Sequence, residues 1–191
     1  MTAIVLAAGE GRRMGGRSKA LLAPHGGPTF LERVLASCLT GGCDRTVVVV
    51  RDGESGIDEI VARLGAGRAV NADPDRGMFS SVQVGIEHAL SARPEPEAVL
   101  IFPVDHPQVL PSTVARILRS WKEKRTATME PEYGGRGGHP LLLSQDTARE
   151  AAASWAGSLK DFLDEGVAPR GRVPVEDPGV VSNINRPSDL Q

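Results

Sequence analysis

The sequence predicts an α/β fold, a three-layer α/β/α sandwich in which helices cover both faces of a mostly parallel sheet. Two apolar runs, 46–50 and 98–102, show no alternation of polar and apolar residues, which is typical of strands buried on both faces. Amphipathic helical patterns separate such runs along the chain, and this repeated order favours parallel pairing. The length of 191 residues suits one packed domain. We therefore predict a single domain over 1–191.

Apolar spacing and end signals define each element. Residues 3–8 predict the first strand, and Thr29 with Glu32 forms a capping box that begins a helix ending at Gly41-Gly42. Apolar residues three and four positions apart mark the later helices. The remaining predicted elements are the strand 46–50, a helix near 56–64, a short strand 68–70, a helix from about 80 to 91, the strand 98–102, a helix after Pro111, a strand near 126–130 and a strand at 140–143.

Composition excludes several classes of protein. The formal net charge is −2 and 40% of the residues are hydrophobic, whereas a nucleic-acid partner usually requires a basic excess. The apolar run at 3–8 is too short for a membrane span or a signal segment, so we expect a cytoplasmic protein with no membrane partner. Cys38 and Cys43 are the only cysteines, and we interpret them as buried thiols.

A glycine-rich loop follows the first strand. The segment from Gly9 to Lys19 contains four cations and one carboxylate. Glycines let the backbone approach closely, so peptide N–H groups can converge on phosphate oxygens. The loop lacks the Gly-Lys-Ser/Thr ending of a P-loop, and Met14 stands where a dinucleotide fingerprint needs its third glycine. The pattern predicts a phosphate-binding loop of another kind.

Ligands of parallel sheets bind beyond the carboxyl ends of the strands. That rule selects three loops, 9–19, 71–79 and 103–108. Asp105 lies in the third, between two prolines, and could hold Mg²⁺ on a nucleotide together with an oxygen from Asn183 or Asn185. As an isolated residue, Asp105 would more often be a structural turn residue, but its expected position opposite the cationic glycine loop favours the metal-binding interpretation.

Paired serines follow the second loop. Ser80 and Ser81 stand at a predicted helix start, where hydroxyls and exposed N–H groups can hold a base, a ribose or a phosphate, or serve only as helix caps. The four histidines show no metal-ligand spacing, and no nucleophile elbow or Cys/His pair is evident. Hydrolysis by a catalytic triad is therefore not expected.

Five motifs in order resemble the MobA-like nucleotidyltransferase family, and within it the molybdenum-cofactor cytidylyltransferase branch. They extend over nearly the whole chain. The motifs are Leu6-Ala-Ala-Gly9 with its continuation to Lys19, Arg76-Gly-Met-Phe-Ser-Ser-Val82, Pro103-Val-Asp-His-Pro107, Gly138-His-Pro140, and Asp177-Pro-Gly with Asn183-Ile-Asn-Arg-Pro187.

The resemblance implies a fold of the nucleotide-diphospho-sugar transferase type and a set of site residues. Arg13, Lys19 and Asp105 would be catalytic, Asp105 and Asn185 would coordinate Mg²⁺, and His139 would shape the acceptor pocket. The implied nucleotide-binding residues are Leu6, Ala7, Ala8, Gly9, Gly11, Arg13, Lys19, Asn71, Arg76, Gly77, Ser80 and Ser81. Relatives often carry Asp-Ile-Asp where this chain has Asn183-Ile-Asn185, which keeps oxygen ligands but removes charge.

The implied reaction is attack by an acceptor phosphate on the α-phosphorus of a nucleoside triphosphate, with release of pyrophosphate. A phosphate monoester is largely dianionic at neutral pH, so it needs no general base.

Ala8 stands where guanosine-using relatives tend to have glycine, which favours CTP over GTP. The implied acceptor is molybdopterin or the molybdenum cofactor, with transient contact to a molybdenum enzyme. A sugar-1-phosphate nucleotidyltransferase and a non-catalytic accessory protein for molybdenum enzymes remain alternatives.

Overall fold

The computed structural model describes residues 1–9, 18–185 and 189. The strands of the described part are β1 (Thr2–Leu6), β2 (Arg45–Val50), β3 (Gly67–Val70), β4 (Ala98–Pro103), β5 (Thr128–Tyr133), β6 (Arg136–Gly137), β7 (Leu141–Ser144) and β8 (Arg170–Pro174). The α-helices are α1 (Phe30–Thr40), α2 (Ser55–Arg63), α3 (Met78–Leu90), α4 (Pro111–Lys124), α5 (Gln145–Ala153) and α6 (Leu159–Asp164). These elements build a layered α/β fold.

All eight strands belong to one mixed sheet. Its order is β3-β2-β1-β4-β7-β5-β6, and β8 pairs with β5. The four strands β3, β2, β1 and β4 are parallel to one another, whereas β7 runs antiparallel to both β4 and β5. The expectation of a mostly parallel sheet is confirmed. The predicted strand at 140–143 is therefore the strand that interrupts the parallel order.

Helices cover both faces of the sheet, because successive side chains of its central strands point to opposite sides. Ala3 and Val5 of β1 pack in one apolar cluster with residues of α1, α2 and α4. Ile4 and Leu6 pack in a second cluster with residues of α3, α5 and α6. Two separate cores on one sheet confirm the three-layer sandwich.

The predicted capping box begins α1. The Glu32 backbone N–H donates to Thr29 Oγ1 at 3.2 Å, and the Thr29 backbone N–H donates to Glu32 Oε2 at 2.6 Å. The hydrogen bond from the Thr29 backbone, followed by that from Arg63, lowers the pKa of Glu32 to about 2. Arg63 Nη2 lies 2.6 Å from Glu32 Oε1, so this carboxylate also joins α1 to α2.

Several predicted boundaries are wrong by a few residues. Helix α3 begins at Met78 rather than near 80. Strand β5 begins at Thr128 rather than 126. The Thr126 carbonyl accepts a hydrogen bond from the Trp121 side chain at 2.9 Å, and the Thr126 hydroxyl donates to the carbonyl of Thr128 at 2.7 Å, so Thr126 bonds locally ahead of the strand. The sequence analysis did not identify α5, α6, β6 or β8, because these elements are short and give weak apolar patterns.

Two expectations from composition concern burial and membranes. Cys38 and Cys43 are buried and free, as expected. Within the described ranges, the longest apolar helix still falls short of what crossing a membrane requires.

Replacing the N-cap of α1 tests the capping box. We expect Thr29→Ala to lower the free energy of unfolding by about 1 kcal/mol, because the Glu32 N–H loses its acceptor. Urea denaturation measures the change. Thr29→Ser keeps the hydroxyl and should remain close to wild type, and an unchanged midpoint for Thr29→Ala would show that the cap contributes nothing.

Candidate active site

A crevice opens where the direction of strand connection reverses. Strand β1 lies between β2 and β4, so the loops that follow β1 and β4 leave the sheet at neighbouring carboxyl ends. Backbone hydrogen bonds continue beyond β1: Ala7 N–H donates to the carbonyl of Val49 at 2.9 Å, and Val104 N–H donates to that of Leu6 at 3.2 Å. The residues that directly follow β1 and β4 are thereby fixed beside the crevice.

The crevice contains a cavity of about 230 Å³. Seven predicted site residues line it: Leu6, Ala7, Ala8, Gly9, Lys19, Ser81 and Asp105. Five lining residues had no predicted role: Ala20, Pro74, Met78, Pro103 and Val104. Four of these five lie in the loops selected by the carboxyl-end rule, and Ala20 directly follows one of them, so that rule was the signal available in the sequence. The structure therefore brings the glycine-loop strand end and the Asp105 turn to one cavity.

Lys19 joins three distant segments at this cavity. Its ammonium donates to Asp105 Oδ2 at 3.2 Å and to Asn185 Oδ1 at 2.5 Å. The side chains of Lys19 and Asp105 are 20% and 22% exposed, so the ion pair is mostly shielded from water. The Ile184 N–H donates to the carbonyl of Asp105 at 2.8 Å, which fixes the C-terminal segment beside the turn. Asp105 and Asn185, which the sequence analysis paired as metal ligands, therefore lie next to the same ammonium group.

Two oxygen atoms at this point suit a hard cation. Asp105 Oδ2 and Asn185 Oδ1 both face the Lys19 ammonium, so the local arrangement already accommodates positive charge. Mg²⁺ on a nucleotide takes one or two protein oxygens and completes its shell with phosphate and water. The residues described contain no cluster of three or more His, Cys, Asp or Glu suited to a metal. The Asp105 and Asn185 oxygens therefore fit a metal shared with phosphate.

The second selected loop is held by an internal network. Asn71 Nδ2 donates to Ser80 Oγ at 2.8 Å and to Ser81 Oγ at 2.9 Å, while Ser80 Oγ donates to the carbonyl of Gly77 at 2.8 Å. Gly77 has a φ of 97°, a conformation that strongly favours glycine. Asn71 and Ser80 are buried and support the turn from below. Ser81 also lines the cavity, whereas Arg76 and Gly77 are exposed beside it.

His139 lies against His106 close to the Asp105 turn. The two ring centroids are 4.8 Å apart, and His139 Nδ1 is buried with no hydrogen-bond partner among the described residues. Burial, and then the neighbouring His106, lower the pKa of His139 to about 4, although Asp105 opposes the shift. The His139 ring is therefore neutral at pH 7. It can offer an uncharged ring face or a single donor to a ligand.

The C-terminal segment crosses close to this histidine. The His139 N–H donates to the carbonyl of Val180 at 2.8 Å, and a Cβ on Gly138 would lie 2.3 Å from that carbonyl oxygen. His106 Nδ1 lies 3.1 Å from the carbonyl oxygen of Gly179, so this ring nitrogen carries the proton. Only glycine at 138 permits this approach, which explains its place in the motif Gly138-His-Pro140.

Asp177 fastens the same segment to α4. Its carboxylate accepts hydrogen bonds from the Leu110 N–H at 2.8 Å, the Thr113 hydroxyl at 2.6 Å and the Gly179 N–H at 2.9 Å. Leu110 precedes the first turn of α4, so a distant aspartate satisfies a backbone donor at the helix start. The sequence analysis included Asp177 in a motif without a role, and the structure assigns it to anchoring.

Two predicted nucleotide-binding residues, Gly11 and Arg13, lie outside the described residues. Their assignments stay predictions.

The comparison with protein families agrees with this geometry. The MobA-like NTP transferase domain matches residues 3–169. The chain belongs to this family. The expected membership of the MobA-like family is thereby confirmed, and a nucleotidyltransferase type of α/β fold is shown. The match ends before the fifth motif at 177–187, and the cytidylyltransferase branch stays a prediction.

Two curated relatives carry different names. The nicotine blue oxidoreductase of Paenarthrobacter nicotinovorans is 30% identical over 82% of this chain and 77% of its own length. A molybdenum cofactor guanylyltransferase of Cereibacter sphaeroides is 31% identical over 98% of this chain and 92% of its own length. Family membership alone therefore does not identify the reaction, which has to be inferred from the residues of the site.

A solved structure of a mycobacterial protein is similar over the whole chain. Rv0371c of Mycobacterium tuberculosis superposes with a TM-score of 0.82 at 25% identity, covering 99% of this chain and 95% of its own. A complex of the same protein with manganese superposes with a TM-score of 0.71 at 25% identity, covering 91% and 87% of the two chains. The fold of this protein is thus shared with a metal-binding relative.

Acidification tests the burial of His139. An unfolded histidine has a pKa near 6.5, whereas that of His139 is about 4. Between these values the unfolded chain binds a proton that the folded protein does not. The free energy of unfolding should therefore fall as the pH drops from about 6.5 to about 4, by at most about 3 kcal/mol.

Denaturation midpoints across this pH range would measure the effect. His139→Gln should flatten the dependence, while His88→Gln, which changes an exposed histidine of α3, should retain it. The Glu32 contribution is lost only below about pH 4.5, as its carboxylate is protonated, and stays in both variants. Equal slopes for wild type and His139→Gln would show that His139 does not titrate as the structure requires.

Proposed function

We propose that the protein is a metal-dependent nucleotidyltransferase that transfers a nucleoside monophosphate, CMP from CTP, to the phosphate of molybdopterin or the molybdenum cofactor and releases pyrophosphate. The observation that carries this proposal is the meeting of Lys19, Asp105 and Asn185 in the crevice at the carboxyl ends of β1 and β4. A cation, a carboxylate and an amide oxygen at one cavity are the groups that a triphosphate and its metal require.

Transfer of this kind needs positioning and charge neutralisation more than proton abstraction. The attacking phosphate monoester is already largely dianionic at neutral pH. His139, the histidine beside Asp105, is uncharged at pH 7 because its pKa is about 4, so it suits contact with an acceptor. The chain is therefore expected to act by holding the acceptor phosphate in line with the α-phosphorus.

Cationic side chains would neutralise the negative charge on the leaving phosphates. Lys19, the last residue of the glycine-rich segment, lines the cavity. We propose that Lys19 and Arg13 stabilise pyrophosphate as it leaves. A divalent cation, Mg²⁺ in our proposal, would be held by Asp105 and Asn185 and would neutralise phosphate charge when bound. The manganese complex of the mycobacterial relative supports a divalent cation in this family.

The preference between CTP and GTP depends on the residue at position 8 in the cavity lining. Ala8 is 5% exposed and lines the cavity beside Ala7 and Gly9. Its methyl group takes room at the edge where a purine would need it, which favours CTP. The Cereibacter relative is named a guanylyltransferase, which favours GTP. We keep CTP as the proposal because the methyl group belongs to this chain.

The acceptor is proposed from relatives. The guanylyltransferase of the molybdenum cofactor aligns with 98% of this chain, which supports molybdopterin or its metal-loaded form, followed by transient contact with a molybdenum enzyme. A sugar 1-phosphate would use the same nucleotide half and another acceptor pocket. A non-catalytic accessory role would keep nucleotide binding without transfer.

The test is a screen of nucleotides and acceptors with pyrophosphate release as the readout. Purified protein receives CTP, GTP or UTP with Mg²⁺ and either molybdopterin or a sugar 1-phosphate. Release with CTP and molybdopterin supports the proposal, and release only with a sugar 1-phosphate transfers the assignment to that class. Nucleotide binding without release under any condition contradicts the enzymatic assignment.

Removing the Asp105 carboxylate should impair turnover. We expect Asp105→Ala to lower the rate of pyrophosphate release by about a hundredfold or more, equivalent to about 3 kcal/mol of transition-state stabilisation. Asp146→Ala is the matched control. This exposed aspartate lies at the start of α5, near the amino end of β4, whereas Asp105 follows the carboxyl end of that strand. A folded Asp105→Ala protein with a near-normal rate would remove Asp105 from the mechanism.

Enlarging the cavity should change base preference. We expect Ala8→Gly to raise the ratio of GTP use to CTP use by about tenfold, a gain that one removed methyl group can supply. Competing nucleotides in one reaction give the ratio directly. Ala92→Gly, beyond the C-terminal end of α3, controls for the general effect of glycine, and an unchanged ratio in Ala8→Gly would show that Ala8 does not select the base.

A further inference from the structure

The ammonium of Lys19 lies where a metal ion would be coordinated. It donates to Asp105 Oδ2 at 3.2 Å and to Asn185 Oδ1 at 2.5 Å, the two oxygens that suit a divalent cation. A magnesium ion bound to both would lie about 2.1 Å from each oxygen. That position overlaps the space of the ammonium. Lys19 and the metal therefore compete for one place.

Charge reinforces the steric conflict. Both side chains of the ion pair are about four-fifths buried, so water screens the repulsion between an ammonium and a divalent cation only weakly. Asn185 contributes an amide oxygen and no charge, so the Asp105 carboxylate is the one anionic group of this described trio. Lys19 already neutralises it.

We propose that Lys19 acts as an internal counter-cation that keeps the metal site closed until a triphosphate arrives. This inference rests on the proposed function, because it assumes that the site receives a triphosphate and a metal together. The metal ion alone then binds weakly. A triphosphate offers Lys19 a stronger set of anionic oxygens, and its departure frees Asp105 and Asn185.

The local structure permits this exchange. Lys19 begins a short 3₁₀ turn, Lys19–Leu21, whose middle residue Ala20 is 1% exposed. The backbone is thus anchored by Ala20, while the long Lys19 side chain can reorient through its rotatable bonds. Asp105 and Asn185 stay in place, because the Ile184 N–H holds the C-terminal segment to the Asp105 carbonyl. Only one side chain needs to move.

Metal binding without nucleotide tests the inference. Electron paramagnetic resonance of free Mn²⁺ would give the dissociation constant of the intact protein and of its Lys19 variants. Lys19→Met removes the charge and keeps a long side chain, and we expect it to bind Mn²⁺ at least about tenfold more tightly than wild type. Lys19→Arg keeps the charge and should stay within about threefold of wild type. Lys19→Gln is a second neutral variant in case Lys19→Met does not fold.

Two results would overturn the inference. One is an unchanged Mn²⁺ affinity in a folded neutral variant, and the other is equal tightening in Lys19→Met and Lys19→Arg, which would assign the effect to shape. The measurement uses no turnover, so it separates this inference from the proposed function. Active wild-type protein with unchanged Mn²⁺ affinity in Lys19→Met would refute only the counter-cation role. If Lys19→Met binds Mn²⁺ more tightly but the wild-type protein transfers no nucleotide, only the proposed activity would be refuted.

Discussion

The geometry of the candidate site depends on the fastening of the C-terminal segment across the carboxyl end of β4. Asp177 binds this segment to the start of α4 through two hydrogen bonds, from the Leu110 N–H and the Thr113 hydroxyl. Farther along, the Ile184 N–H reaches the carbonyl of Asp105. Without these contacts Asn185 would have no fixed position relative to Asp105. A buried carboxylate outside the cavity lining therefore helps to set the position of Asn185 beside Asp105.

The sheet supplies the rigid frame for this arrangement. Its central strands are buried on both faces, so they cannot shift without disturbing two cores at once. The reversal of connection at β1 separates the loops that follow β1 and β4. An open cavity is thus a consequence of strand order, and the loops bring charged groups to its rim. The ion pair of Lys19 with Asp105 links the two sides of the cavity.

Much of this could be predicted from particular residues. The valine run of β2 indicated burial on both faces, and the capping box at Thr29 gave the start of α1. The carboxyl-end rule selected the loops that line the cavity. Other features could not be predicted. The Thr126 carbonyl, just before β5, accepts a hydrogen bond from the Trp121 side chain, a contact that propensity does not encode. The antiparallel direction of β7 leaves no mark on a short apolar run.

The sequence by itself determined the alternation of strands and helices, the family motifs and the types of residue available for phosphate and metal. These follow from local patterns of burial and from residue chemistry. Only the tertiary structure decided which oxygens share one cation, because Lys19, Asp105 and Asn185 are far apart in the chain and meet only after the sheet forms and the C-terminal segment crosses it. It also decided that Asn71 and Ser80 support the turn through hydrogen bonds to neighbouring groups, and that burial keeps His139 uncharged. Such properties arise from packing between distant segments.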